Sequence, residues 1–231
     1  EIKALEQLDH KNIVKMIANN LGARSKDGPV HIVLEHMPCD LKYAALSLPG
    51  TKENIREILH QVLSGVAHIH SKKMVHGDIK PENILIDPKT MAVKICDFGC
   101  CRNVEEETFP GESMGWCRQD ISSIVDLMAY LYLGKSFPYW ISLRMSSMDE
   151  VGCFFEEQKS GMILNNRVGV LYQKMGGFVS ENGLDLFLEL LASERTGGCT
   201  AAAEVLEHPF FAEGREQDPL PSKPKQRLLF S

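Results

Sequence analysis

The stretch Val75-His76-Gly77-Asp78-Ile79-Lys80-Pro81-Glu82-Asn83-Ile84-Leu85, followed shortly by Cys96-Asp97-Phe98-Gly99, constrains this chain more than any other feature. The first segment offers an aspartate, a lysine two residues on and an asparagine three beyond that, and the second places a further acid two residues before a glycine. A carboxylate can hold a hydroxyl proton, an ammonium can neutralise phosphate, and Asn and Asp oxygens suit a hard cation such as Mg²⁺, so together they form a set fit for phosphoryl transfer. Either tripeptide alone, His-Gly-Asp or Asp-Phe-Gly, would pass as turn chemistry, because Asp and Gly favour turns. The two in this order, joined by a short apolar hairpin, are far more specific.

The hairpin itself is readable. Asn83 to Asp87 and Ala92 to Cys96 have strand character, and Asp87-Pro88-Lys89-Thr90 is a polar turn between them. Both Asn83 and Asp97 then fall at strand ends on one side of the turn, where two metal ligands can converge. Ahead of this unit, Ile55, Ile58, Leu59, Val62, Leu63, Val66 and Ile69 recur at helical spacing, which predicts a helix over 51–70 with Thr51 as its cap. So regular a stripe is core.

The spacing His76-x-Asp78-x-x-x-x-Asn83 followed by Asp97-Phe98-Gly99 resembles the catalytic and metal-binding loops of eukaryotic protein kinases. The resemblance extends over residues 1 to about 212 and implies an α+β fold of the protein-kinase type: a mainly helical large lobe with a remnant of the small, sheet-containing lobe. The organisation it implies is a small-lobe remnant over 1–37, a large lobe over 38–212, and an extended Pro- and Lys-containing tail over 213–231. In those terms Asp78 would accept the proton of a substrate hydroxyl, Lys80 would neutralise the transferring phosphoryl group, and Asn83 with Asp97 would hold Mg²⁺ beside ATP. A lysine two residues after the base is the serine/threonine-kinase arrangement.

Residues 1–8 read as the end of an amphipathic helix, Ile13 to Ile17 as a strand, Ala18 to Pro29 as a loop and Val30 to Met37 as a second strand. This opening is similar to the cyclin-dependent and glycogen-synthase kinase group. There Glu1 falls on the helix glutamate that pairs with a strand lysine, and that lysine and the glycine-rich loop would lie upstream, so the chain is expected to be a piece of a longer one. Ile32 to Leu41 looks like the kinase hinge. By resemblance Leu34 guards the back pocket, the Glu35 carbonyl and Met37 amide meet adenine, Asp40 meets ribose, and Leu85 belongs to the same nucleotide-binding set. Read without the resemblance, Glu1 is an exposed helix residue and the hinge is a core strand with a proline turn.

Past Arg102 the chain departs from that pattern and rejoins it at Gln119-Asp120-Ile121, which looks like the central large-lobe helix whose opening aspartate braces the catalytic loop. Asp120 follows Asp97 by only 23 positions, roughly half the separation usual in relatives, and the substrate-docking part of the activation segment is what is missing. Gly77 stands where many relatives carry a phosphate-reading arginine. Gly198 stands where they pair an arginine with an Ala-Pro-Glu glutamate, that triplet is absent as well, and Arg195 is an imperfect substitute. Dropping both partners of a buried pair together is physically sensible, since an orphaned buried charge is costly. Asp149 to Ser160 and Leu184 to Ala192 read as helices, and Thr200 to Phe211 closely resembles the last kinase helix.

A formal net charge of -6 and a pI near 5.8 argue against a nucleic-acid or anionic-membrane binder. No apolar run reaches the roughly 18 residues of a membrane span. Seven cysteines without a Cys-x-x-Cys pair fit a reducing, cytoplasmic or nuclear setting rather than a zinc site. The partners implied are a protein substrate and a cyclin-like or other regulatory protein. A second functional reading is a pseudokinase or scaffold that binds without turnover, favoured by the short activation segment and opposed by the intact Asp-Lys-Asn-Asp set. A third, a different ATP-dependent phosphotransferase, is disfavoured by the hinge and the final helix.

Overall fold

The computed structural model of the chain describes residues 1–25, 28–104, 112–134, 137–146, 169–170, 179–196 and 201–214. The opening helix α1 (Ile2–Leu5) buries Ile2, Ala4 and Leu5, with Leu8 just beyond its end. The strand expected from Ile13 begins three residues later: β1 is Met16–Asn19, antiparallel to β2 (Ile32–Leu34). Ile13 and Val14 do something else. Both are buried, Ile13 forms a parallel bridge with Ile95, and the Val14 N–H donates to the Ile95 carbonyl at 2.9 Å. Tertiary pairing has claimed the apolar pair that pattern alone assigns to the local strand.

A two-residue strand β3 (Cys39–Asp40) leads into helix α2 (Leu41–Ser47) and a single turn α3 (Gly50–Glu53). Then comes α4 (Ile55–Ser71). Its expected stripe is buried throughout, and each large aliphatic side chain so placed contributes about 1.5–3 kcal/mol over an exposed position. Thr51 is not its cap. It lies in α3, buried, with its hydroxyl donating to the Ala44 carbonyl at 3.1 Å. Gly65 lets α4 approach its neighbours closely, because an added Cβ would stand 2.8 Å from Ile95 Cδ1 and 3.0 Å from the Asn12 carbonyl.

After β4 (Met74–Val75) the chain makes a 3-10 turn at Pro81–Asn83 and runs into the hairpin β5 (Ile84–Asp87) and β6 (Ala92–Ile95). Asn83 therefore belongs to the turn rather than to the strand expected there. β5 is central in a three-stranded sheet ordered β3-β5-β6. A further short strand, β7 (Arg102–Asn103), pairs antiparallel with β4, tying the chain after Phe98-Gly99 to the chain before His76.

Helix α5 (Glu112–Leu133) packs on α4 and on α7 (Glu181–Thr196), with α6 (Phe137–Ser146) preceding the latter. Asp120, expected to open this helix, sits two turns inside it. A short helix α8 (Ala202–Val205) and a 3-10 turn at Pro209–Phe211 close against α4, where the Arg56 guanidinium pairs with Glu213 and lies 5.0 Å from the Phe210 ring. One core runs through α4, the hairpin, α5 and α7, and the fold is an α+β arrangement. The helix expected over 149–160, Gly198 and the tail from residue 215 onward lie outside the described residues, while Glu213, expected to begin that tail, is packed against α4 through Arg56.

Candidate active site

The site is built where β4, the 3-10 turn and the hairpin meet. Asp120 holds the first of these from below. Its fully buried carboxylate accepts the His76 N–H at 2.9 Å, the Gly77 N–H at 2.8 Å and a contact from His70 Nε2 at 3.0 Å. Gly77 has φ near 80°, a region where L side chains are strained, and an added Cβ would lie 3.1 Å from the Cys100 carbonyl. A larger side chain at 77 would therefore need the loop to change course, not merely replace a hydrogen.

His76 is buried and joins the two motifs. Its Nε2–H donates to the Cys96 carbonyl at 3.0 Å, its Nδ1 accepts the Asp78 N–H at 3.2 Å, and its ring meets Phe98 edge-on at 4.9 Å. Burial pushes its titration below the ordinary 6.5, against the opposing pull of Asp120 and the Cys96 carbonyl. Burial also lowers His10 and His68. The unfolded chain therefore takes up these protons first as the solution is acidified. Their stabilising contribution is complete above about pH 6.5 and is lost as the pH falls from there toward the folded pKa, at up to about 1.4 kcal/mol per pH unit for the buried His76 and less for His10 and His68, whose charge solvent screens. Guanidinium unfolding should show a lower midpoint at pH 5.5 than at 7.5. Equal midpoints would contradict this account.

Asp78 is held on one oxygen. Lys80 Nζ pairs with its Oδ2 at 2.6 Å, and Asn83 Nδ2 donates at 2.9 Å both to that oxygen and to the Asp78 carbonyl. The pair is one-third to one-half exposed, whereas Asn83 is buried. Asp97 takes up φ 62°, ψ 73°, a left-handed conformation uncommon outside glycine, and its exposed carboxylate accepts the Gly99 N–H at 3.3 Å. Such backbone strain costs on the order of 1–3 kcal/mol and tends to cluster at functional sites. The hairpin supplies the juxtaposition, because the Cys96 N–H donates to the Asn83 carbonyl at 2.9 Å and so sets residue 97 beside the 3-10 turn.

Of the remaining sequence candidates, Leu34 ends β2 and packs half-buried on the core, and Leu85 stands in register with Asp40 on β5. Asp40 has one oxygen already committed, since Oδ1 caps α2 through the Tyr43 N–H at 2.7 Å. The Glu35 N–H donates to the Lys15 carbonyl at 2.9 Å, while among the described residues the Glu35 carbonyl and the Met37 N–H have no protein partner and stay available to a ligand. Glu1 caps α1 as an exposed residue whose carbonyl accepts the Ala4 and Leu5 N–H groups. It is nonetheless close enough to contribute, with Asp97 and Asp40, to the high pKa of Cys96.

Burial, with those three acids, pushes the Cys96 thiol up to about 11, and burial does the same for Cys101. At pH 7.5 both are then thiolate in well under about one part in a thousand. Cys100 is exposed. Of Cys96, Cys100 and Cys101, iodoacetamide should modify Cys100 first, with mass spectrometry as readout. Preferential, nucleotide-protected labelling of Cys96 would reverse this assignment.

Two supports have no motif in the sequence. Asn12 Nδ2 donates to Gln61 Oε1 at 3.0 Å and to the Val93 carbonyl at 2.9 Å, locking the loop after α1 to α4 and β6. Below Lys80 a cleft of about 380 Å³ opens between the Ile79–Glu82 segment and helices α5 and α6, with Ile79, Leu127, Phe137 and Ile141 on its apolar walls and a Lys42–Glu82 ion pair of 2.8 Å among its lining. Only Asn12, a polar residue abutting the apolar Ile13-Val14, offers a local hint of its part. Charges on separate elements, such as Lys42 and Glu82, carry no local signal.

A family description, protein kinase domain, matches residues 1–123. That is more than half of the 231 residues, and the chain belongs to the protein kinase domain family. Phosphoryl transfer is the chemistry of that family. The donor set fits its usual companions: an exposed Asp97 carboxylate and the Asn83 amide are hard oxygen ligands suited to Mg²⁺. The Glu35 and Met37 backbone groups suit an adenine edge.

Proposed function

We propose that the chain is the catalytic portion of a serine/threonine protein kinase of the cyclin-dependent and glycogen-synthase type, transferring the γ-phosphoryl group of ATP to a protein hydroxyl. The observation that carries this reading is the constrained Asp78: one carboxylate oxygen bound by both Lys80 and Asn83, beside an Asp97 held in a strained conformation. Mg²⁺, held by Asn83 and Asp97, would supply charge neutralisation at the phosphates. Asp78 orients the incoming hydroxyl and takes its proton. Lys80, already hydrogen-bonded to Asp78, would offset the charge of the transferring phosphoryl group. The cleft under Lys80 would accept the flanking residues of the protein substrate. A cytoplasmic or nuclear location and a cyclin-like partner belong to the same proposal.

The alternative, a non-catalytic interaction module, is favoured by one observation. Helix α5 begins at Glu112, well ahead of Asp120, leaving little chain between Arg102-Asn103 and the helix for a substrate-docking segment. The test is a phosphotransfer assay on the purified chain with Mg-ATP and a library of serine, threonine and tyrosine peptides, alongside calorimetric measurement of ATP affinity. Label transfer to serine or threonine that depends on Asp78 supports the kinase. Nucleotide binding with no transfer to any peptide, even after fusion behind a complete kinase small lobe, supports the module.

A further inference from the structure

A second, smaller recess lies away from Asp78, where the loop after α1, the chain following β2 and strand β6 come together. It encloses about 140 Å³ and is lined by Lys11, Lys15 and Lys94, with His10, Asp9 and Glu35, over apolar Leu8 and Ile13. We propose that this recess binds a tetrahedral oxyanion, the phosphate group either of a phosphorylated protein side chain or of free phosphate.

Size is the first argument. Pockets for whole nucleotides or drug-sized ligands run from about 300 Å³ upward, so this one suits a single compact group. Charge is the second. Glu35 offsets one lysine, Lys94, since its Oε1 is shared between Lys94 Nζ at 2.8 Å and the Lys15 N–H at 2.7 Å. Burial alone would raise its carboxyl, but those two partners bring it below the ordinary range. Lys94 is thereby fixed in place, Lys11 and Lys15 remain as exposed ammonium groups, and only Asp9 stands against them. This local excess of cations sits in a chain whose net charge is -6.

His10 makes the recess responsive. Its ring stacks on His68 with centroids 5.0 Å apart and planes 19° off parallel, and its Nδ1 accepts the Asn12 N–H at 3.1 Å. In the neutral ring the proton is therefore on Nε2. The Nε2 of the stacked His68 is buried with no hydrogen-bond partner among the described residues. Burial, His68, Lys11 and Lys94 all disfavour the imidazolium at His10, with Asp9 opposing, while Lys72 acts on His68. An anion among these cations would relieve that repulsion and favour protonated His10, adding a further cation to the lysines. Oxyanion binding and His10 protonation are then coupled and must be reciprocal. Through Asn12, which bonds to Gln61 and Val93, the occupied loop stays anchored to α4 and β6. The inference does not depend on whether Asp78 catalyses transfer.

The experiment is a histidine-resolved NMR titration of the intact chain at constant ionic strength, with sodium phosphate compared against sodium chloride. Phosphate should move the His10 titration upward by about half a pH unit or more, and the affinity for sulfate, a tetrahedral oxyanion whose charge is constant in this range, should rise several-fold between pH 7.5 and 6, while His76 is unaffected. The K11A/K15A variant, which spares the structural Lys94–Glu35 pair, should lose both responses and keep the wild-type His76 signals. A phosphoserine peptide binding at least tenfold more tightly than both free phosphate and its unphosphorylated counterpart identifies a phosphoprotein docking site. Equal affinity of peptide and free phosphate identifies an inorganic-anion site. The same His10 movement in chloride, its persistence in K11A/K15A, or no movement at all would overturn the proposal.

Discussion

Asp78→Asn should leave Mg-ATP affinity nearly unchanged while lowering phosphotransfer by a factor on the order of 10²–10⁴. The expectation follows from where Asp78 sits. Its Oδ2 is bonded to Lys80 and to Asn83, which fixes the carboxylate's orientation. An amide of the same shape can keep much of that framework but cannot take up a hydroxyl proton. Asp97→Asn is the necessary comparison. It removes a hard anionic oxygen from the exposed side of the hairpin, so metal-dependent nucleotide binding should weaken along with turnover. Both variants should be measured in the chain fused behind a complete kinase small lobe, by calorimetry for ATP and by label transfer for activity. Equal losses of ATP affinity in the two would remove the division of labour between the acids. Full turnover in Asp78→Asn would remove Asp78 from the chemistry altogether.

The second large effect concerns stability. Asp120→Ala should cost about 3–5 kcal/mol, a large share of the roughly 5–15 kcal/mol by which a typical domain is stable. Removing the carboxylate strands the buried His76 N–H, the half-buried Gly77 N–H and the contact from His70, all within 3.0 Å of it. Asp120→Asn retains one acceptor oxygen and should recover part of the loss. Chemical denaturation of the three proteins checks this, and a loss below about 1 kcal/mol in the alanine variant would mean that water or a rearranged loop replaces the bonds. Because Asp120 braces the peptide groups just before Asp78, the alanine variant should also lose nucleotide-dependent function ahead of global unfolding.

Much of this arrangement is legible in the amino-acid sequence. The α4 stripe, the β5–β6 hairpin and the Asp78, Lys80, Asn83 and Asp97 spacing are local patterns. Hydrophobic period and turn chemistry act over a few residues, so they can be read directly. Even the bracing by Asp120 is carried by resemblance. The departures have one source. Thr51 reads as a cap and Ile13-Val14 as strand because both have the right local neighbours. In the folded chain Thr51 is buried beside Ala44, and Ile13-Val14 pair with Ile95.

The sequence thus carried the class of fold through its resemblance to protein kinases, and residue type and spacing determined the chemistry offered by the Asp78–Asp97 stretch, since the latter depends on separations shorter than a helix. Only the tertiary structure decided how that chemistry is held. The left-handed Asp97, the single oxygen by which Asp78 is bound, the φ of Gly77 and the meeting of Lys11, Lys15, Lys94 and His10 around one recess all depend on segments far apart in the chain. Their energies belong to pairs of elements rather than to any one of them, and a reading along the chain has no term for a contact made across the fold.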